Sequence, residues 1–347
     1  MRAVVHGESA AQRAIAREDV AAPASPGPGE VTVAIARVSL SPDDAVGFPA
    51  LAASVGPRVC GHSGVGVVVA AGAPVRAGAA DPARLMNSRV AVHPMIACAR
   101  CERCRAGLAS HCAQRAALGC WDAALAVFGV TPRAGVLQER VTVPAYAVEA
   151  IAKGVSDDVA TLASTVGGAL RVARAVRVEH KPYVTVLGDG AIGLLIAQHL
   201  TRLNASVRVL GKHAERLALC ERWGIKHRDV REVGLRQDQD VVIDATGRSE
   251  TMELAQRLLR PRGKLIVKAP MWPRASKPAS LGWAADSEAE VTFVGGAPLR
   301  DGLEALERGE FDVSAMLSPR VSLEQAPTGL AMLREKRALR VLVDVAG

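Results

Sequence analysis

The sequence of 347 residues predicts an α/β protein, in which a doubly wound parallel sheet follows a β-rich domain. Three observations predict it. From Tyr183 onward short apolar strands alternate with helical segments, the pattern of a parallel sheet with helices on its faces. A glycine-rich turn, Gly188-x-Gly190-x-x-Gly193, joins the first of these strands to its helix. Before residue 150 the strands alternate apolar with polar residues, and Pro and Gly punctuate them.

Taken in order, 31–40 (VTVAIARVSL), 65–72 (VGVVVAAG), 88–94 (SRVAVHP) and 137–144 (LQERVTVP) read as strands, with the turn-rich 24–30 (ASPGPGE) before the first. The stretch 156–176 reads as a helix, with Ser156 as N-cap and Asp157 and Asp158 in its first turn. Strands then follow at 183–187, 206–211, 240–247 and 264–269, and helices begin at the glycine turn and at 213 and 249, the last running to Gly263. After about residue 286 the elements are mixed and end in the strand 339–345 (LRVLVDV). The expected domains are therefore 1–150, with a cysteine lobe at about 93–115, then 151–285, and a return to the first domain over 286–347.

Composition narrows the function. The net charge is +8, but the basic residues are spread along the chain with no basic run among aromatics, which argues against nucleic acid as a partner. Every long apolar stretch is broken by Gly, Pro or charge, so no membrane span is expected. The N-terminal segment has no apolar signal core, and its thiols suit a reducing compartment, so a cytoplasmic location is expected. Aromatics are only 3% of residues, which leaves Ala, Val and Leu to fill the cores.

Cys98, Cys101, Cys104 and Cys112 have the spacing C-x-x-C-x-x-C-x7-C. Thiolates suit zinc, and short spacers let one loop wrap a single ion, so one structural Zn2+ is expected there. Cys60, Cys120 and Cys220 are read as small buried hydrophobes.

The glycine turn follows an apolar strand and opens a helix, the context in which it binds a dinucleotide. Gly188 permits the tight turn, Gly190 lets a pyrophosphate approach the backbone, and Gly193 lets helix pack on strand, with Ile192 beside it. The pyrophosphate would rest on the free N–H groups of the helix start. At the end of the second strand, where NAD-binding proteins usually carry Asp or Glu, stand Gly211, Lys212 and His213, with Arg216 one turn on. No acid there opposes a 2′-phosphate, so NADP(H) is expected over NAD(H).

With these motifs in this order, including 61–69 (GHSGVGVVV) and the terminal strand, the chain resembles a medium-chain dehydrogenase/reductase of the zinc alcohol dehydrogenase kind over nearly its whole length. The resemblance implies a GroES-like β-rich catalytic domain, built from both chain ends, plus a Rossmann doubly wound parallel sheet. It implies a homodimer or homotetramer acting on a small-molecule substrate, and it matches Arg340 to a residue that contacts a cofactor phosphate. It also implies a catalytic zinc, and here the sequence departs. The Cys of the family's C-G-[ST]-D is Ser41 in Ser41-Pro42-Asp43-Asp44, and a frequent proton-relay His is Val46. The G-H-E segment reads Gly61-His62-Ser63, and the third ligand position aligns with Ser164. One imidazole and two neutral hydroxyls form a poor zinc site.

Without that zinc the chemistry expected is hydride transfer to an acceptor already electron-poor: an activated C=C, a quinone or an iminium ion. Ser41, Asp44, His62 and Ser164 are the candidate catalytic groups, with His62 the best general acid by its ordinary pKa and Asp44 also able to tie its loop. Two other readings stay open. One is a zinc-dependent alcohol dehydrogenase with unusual ligands, for which Cys60, two residues before His62, and Asp43 and Asp44, close to Ser41, are the candidates. The other is a nucleotide-binding protein without catalysis. Segment 119–130 is expected to shape the substrate pocket.

Overall fold

In the computed structural model, which describes residues 1–6, 14–45, 58–75, 81–119, 130–177, 181–268 and 282–346, the apolar run near residue 35 forms the long strand β1 (Glu30–Leu40). Val31, Val33, Ile35, Val38 and Leu40 are buried, and two register shifts against its neighbour let an imperfect alternation keep its apolar side inward. β2 (Gly64–Ala71) pairs antiparallel with β1, and β3 (Arg89–Val92) with β2. β4 (Arg140–Pro144) also pairs with β1, and β5 (Val148–Ala150) closes the edge on β3. The expected C-terminal strand spans Val341–Asp344 and lies antiparallel to β1, with Arg320–Ser322 beside it. Both ends of the chain thus build one sheet around a single apolar cluster.

Six strands form the second sheet, all parallel: β6 (Tyr183–Leu187), β7 (Ser206–Gly211), β8 (Lys226–Asp229), β9 (Gln239–Asp244), β10 (Leu259–Lys268) and β11 (Glu290–Val294). Their order, β8-β7-β6-β9-β10-β11, reverses direction between β6 and β9. Such a reversal opens a crevice beyond the carboxyl ends of the strands, where ligands bind in this architecture. α1 (Ala163–Ala175), α2 (Ala191–Arg202), α3 (Ala214–Arg222), α4 (Ser249–Leu258) and α5 (Leu299–Glu307) are the longer helices over this part of the chain.

The chain divides into Met1–Ser164 with Val313–Gly347, and Thr165–Asp312. These boundaries fall later than 150 and 286. The first unit takes in the short helix Asp157–Ala160, whose Arg partners lie on β1 and near residue 320. The second keeps β11 and α5, because β11 pairs along β10.

Three local expectations change. The helix over 156–176 is two pieces, Asp157–Ala160 and α1, although Ser156 caps the first as expected, its Oγ accepting from the Val159 N–H at 3.3 Å. The helix from residue 249 stops at Leu258 instead of Gly263, since Pro261 and Gly263 oppose a helix, and the segment pairs along β9 as β10 instead. β8 and β11 carry charged or mixed sequences on the sheet edges and give little apolar signal, so periodicity misses them. Val46, Cys120 and most of 119–130 lie outside the described residues. Cys60 and Cys220 are buried, and burial pushes the Cys220 thiol up to about 11. Among the described residues no helix is long and apolar enough to cross a membrane.

Candidate functional site

The four cysteines of the lobe converge. Their sulfur atoms all lie within 4.8 Å of one another. Cys101 Sγ is 3.5 Å from Cys104 Sγ and 4.0 Å from Cys112 Sγ, and Cys98 Sγ is 3.9 Å from Cys104 Sγ. A tetrahedron of sulfurs at an ordinary Zn–S length of about 2.3 Å has edges of about 3.8 Å. The set therefore fits zinc. Backbone N–H groups already point at the sulfurs: Cys101 N–H to Cys98 Sγ at 3.4 Å, and Cys98 and Gln114 N–H to Cys112 Sγ at 3.3 Å. The backbone amides of Arg100 and Cys101 draw the Cys98 thiol down to about 6, while desolvation and the neighbouring sulfurs push Cys104 up to about 12. Four thiolates this close need a cation to coexist, and zinc supplies it.

Beside β1 the sequence candidates assemble into a buried polar group. A helical turn at Pro42–Ala45 follows β1 and carries Asp44 inward, so that its side chain is 1% exposed. Its Oδ2 accepts from the Ser41 N–H at 2.8 Å and from the Ser41 hydroxyl at 2.9 Å. Its Oδ1 lies 2.7 Å from Nδ1 of His62, which is 3% exposed. Ser41 Oγ in turn accepts from the Asp43 N–H at 3.2 Å. Burial raises the Asp44 carboxyl, but His62 and the Ser41 donors outweigh it and hold it below the usual carboxylate range. Asp44 is therefore ionised at neutral pH and accepts from Nδ1–H of His62.

Ser164, the second residue of α1, is reached from His62's neighbour. Its hydroxyl lies 3.4 Å from Ser63 Oγ, and both are buried. Ser63 is a participant that sequence reading passed over, having registered it only as a lost Glu. Arg340 is also buried, 7% exposed, and the charges of Asp44 and Asp43 act on it. Burial lowers its pKa, and these two carboxylates oppose that. Among the described residues, the four lobe cysteines are the one group of three or more His, Cys, Asp or Glu whose ligand atoms converge. Cys60 and Asp43 do not join His62 in such a group.

In the second sheet, the glycine turn has the form its motif requires. Gly188 has φ of +112°, a left-handed conformation that favours glycine, and donates its N–H to Leu210 O at 2.9 Å. Gly190 caps α2 without a side-chain bond, and a Cβ placed on it would meet nothing. The helix start thus offers its N–H groups to open space, a cradle for an anion. A Cβ on Gly193 would come within 2.2 Å of Gly188 O, so helix and turn touch there. Ile192 faces Gly168, where an added Cβ would lie 3.2 Å from its Cδ1.

The expectation for the end of β7 changes. Lys212 is exposed and Arg216 half-buried, but a carboxylate is present after all. It comes from Asp189, inside the glycine turn. Its Oδ2 accepts from the Lys212 and His213 N–H groups at 2.7 and 2.8 Å, and its Oδ1 lies 2.9 Å from His213 Nδ1. Arg216 Nη1 is 3.9 Å away.

Comparison with known proteins agrees with this construction. Residues 27–153 match the family model for the alcohol dehydrogenase GroES-like domain. An L-threonine 3-dehydrogenase of Anaeromyxobacter sp. (strain K) is 26% identical over 311 residues, covering 83% of this chain and 82% of the relative. The alcohol dehydrogenase TADH from Thermus sp. ATN1 has a similar structure, with a TM-score of 0.82, 23% identity and full coverage of both chains. A protein of Sinorhizobium meliloti 1021, solved bound to NADP, superposes with a TM-score of 0.79 at 25% identity, covering 99% of this chain and 98% of that one. Residues 27–153 thus carry an alcohol dehydrogenase GroES-like domain, and with its four-cysteine zinc lobe and parallel Rossmann sheet the chain is similar throughout to dehydrogenases of the medium-chain dehydrogenase/reductase superfamily.

Proposed function

We propose that this protein is a NAD(P)(H)-dependent reductase of an electron-poor acceptor, an activated C=C, a quinone or an iminium ion, working without a catalytic zinc. One observation carries the reading. Where the zinc-dependent pattern has metal ligands, the described residues form a buried hydroxyl–carboxylate–imidazole group of Ser41, Asp44 and His62. Metal would polarise an unactivated carbonyl or acidify an alcohol. Hydrogen-bond donors can serve an acceptor that needs less activation.

The dinucleotide, when bound, supplies the hydride. Gly188, Gly190, Ile192 and Gly193 hold its pyrophosphate, and Lys212 and Arg216 favour a 2′-phosphate against the nearby charge of Asp189. Arg340 lends positive charge to a cofactor phosphate. His62 is the proton donor through Nε2, because Asp44 fixes its Nδ1–H and stabilises the imidazolium. Ser41 orients Asp44, and the Ser164 hydroxyl, supported by Ser63, completes the polar wall. The same reading takes the protein to be a cytoplasmic homodimer or homotetramer.

The test is a panel of acceptors with NADPH and with NADH, followed by loss of the reduced-nicotinamide absorbance. Quinones or enones are expected to be reduced at a rate that added zinc does not change. His62→Asn should lower kcat by about 10²-fold or more while leaving dinucleotide affinity intact. Zinc-stimulated oxidation of simple alcohols, with no activated acceptor reduced, would contradict the proposal.

A further inference from the structure

The carboxylate of Asp189 occupies space that the sequence leaves empty at the end of β7. Asp189 is 5% exposed. Gly211 is what admits it: a Cβ on Gly211 would come within 2.5 Å of Asp189 Oδ2 and 2.6 Å of Asp189 Cβ. Any side chain at 211 would therefore meet this carboxylate. NAD-selective sheets of this kind place an acidic side chain at the end of the second strand. Here the strand end has none, and the acid reaches the same point from the preceding turn.

This charge is fixed in place. Asp189 accepts two successive backbone N–H groups, from Lys212 and His213, in the turn between β7 and α3. The His213 ring and Arg216 approach the other oxygen. Burial raises its carboxyl, but the His213 ring and the two amides outweigh that and keep it below the usual range.

We propose that Asp189 is a specificity-determining residue for the dinucleotide: its carboxylate takes the part of the missing strand-end acid and acts against a 2′-phosphate. Gly211 is then the complement of Asp189, a residue kept small to make room for it. Lys212, His213 and Arg216 pull the other way, and the balance between them and Asp189 sets the ratio of NADPH to NADH affinity. This inference rests on the dinucleotide reading above.

The experiment is fluorescence titration of the full chain with NADH and with NADPH, comparing wild type with Asp189→Asn. Asn keeps the shape and can still accept from the backbone amides, but it removes the charge. The ratio of NADPH to NADH affinity should move toward NADPH by about tenfold, the size expected for removing one like charge near a phosphate at moderate ionic strength. A purely structural role in holding the turn would weaken both cofactors together and leave the ratio unmoved, and that result, or a shift toward NADH, would overturn the proposal. Should Asp189→Asn fail to fold, Asp189→Ser offers the turn an oxygen without the charge and is read the same way. Wild type binding neither dinucleotide would overturn the functional reading and this inference with it. Binding with an unchanged ratio would overturn this inference alone.

Discussion

Asp44 is the residue on which the candidate site depends. It satisfies three donors, the Ser41 N–H and hydroxyl and the His62 ring, from a position with almost no exposure. Asp44→Ala should therefore destabilise the fold by about 3–5 kcal/mol, because it strands buried donors and removes the charge that faces His62 and Arg340. Asp44→Asn should be milder. The pH dependence follows from the direction of its shift. The folded carboxyl lies below its ordinary value, so its contribution is complete above the unfolded pKa of about 3.9 and is lost as pH falls through the lower folded value. Thermal unfolding from neutral to acid pH should show the gap between wild type and Asp44→Asn narrowing only on the acid side. A gap that is constant with pH would contradict the assignment. This network was only partly legible in the sequence. Ser41 and Asp44 are close in sequence, but Asp44 and His62 are 18 residues apart, and Ser63 and Ser164 are 101 apart. Such contacts are made by the fold, and no spacing encodes them.

At the scale of elements, the two best-read features each sit within one loop or one turn. The lobe's ligands span 98–112 and the glycine turn spans 188–193, so local geometry alone constrains their residue types. Gly193 shows how tightly. Its missing Cβ leaves α2 against the backbone of Gly188, and the obstacle is a carbonyl oxygen rather than a side chain that could rotate away. Gly193→Ala should push α2 off the turn and weaken dinucleotide binding by about tenfold or more while the four-cysteine lobe keeps its zinc. Equal affinities of variant and wild type would show that the turn is not the cofactor cradle. Edge elements were the least legible. β8 reads Lys-His-Arg-Asp, with no apolar period, and its strand state comes from pairing with β7. Asp189 was missed for a related reason. Its partners are 23 and 24 residues away on another strand end, and a motif written G-x-G treats its position as free.

For the whole molecule, the candidate site depends on the N-terminal strands and the C-terminal strand forming one sheet. Val341 and Val343 pair with Leu40 and Val38, and Arg37 and Arg320 share Asp158 and Asp344 in a half-exposed ion network across four segments. The strands supply most of that stability through burial, since partly exposed pairs contribute little individually. The sheet in turn sets β1 and the Ser41 turn beside the bend before β2 that carries His62. The family pattern assigns two zinc ions to such a chain. Its residues here provide one four-thiolate site and, at the other position, hydroxyls and a single imidazole. The most direct test is the zinc content of protein purified without added metal, by elemental analysis. One zinc per chain is expected, lost in Cys104→Ser and unaffected by His62→Asn. Two zinc ions per chain, with one lost in His62→Asn, would contradict the proposed function.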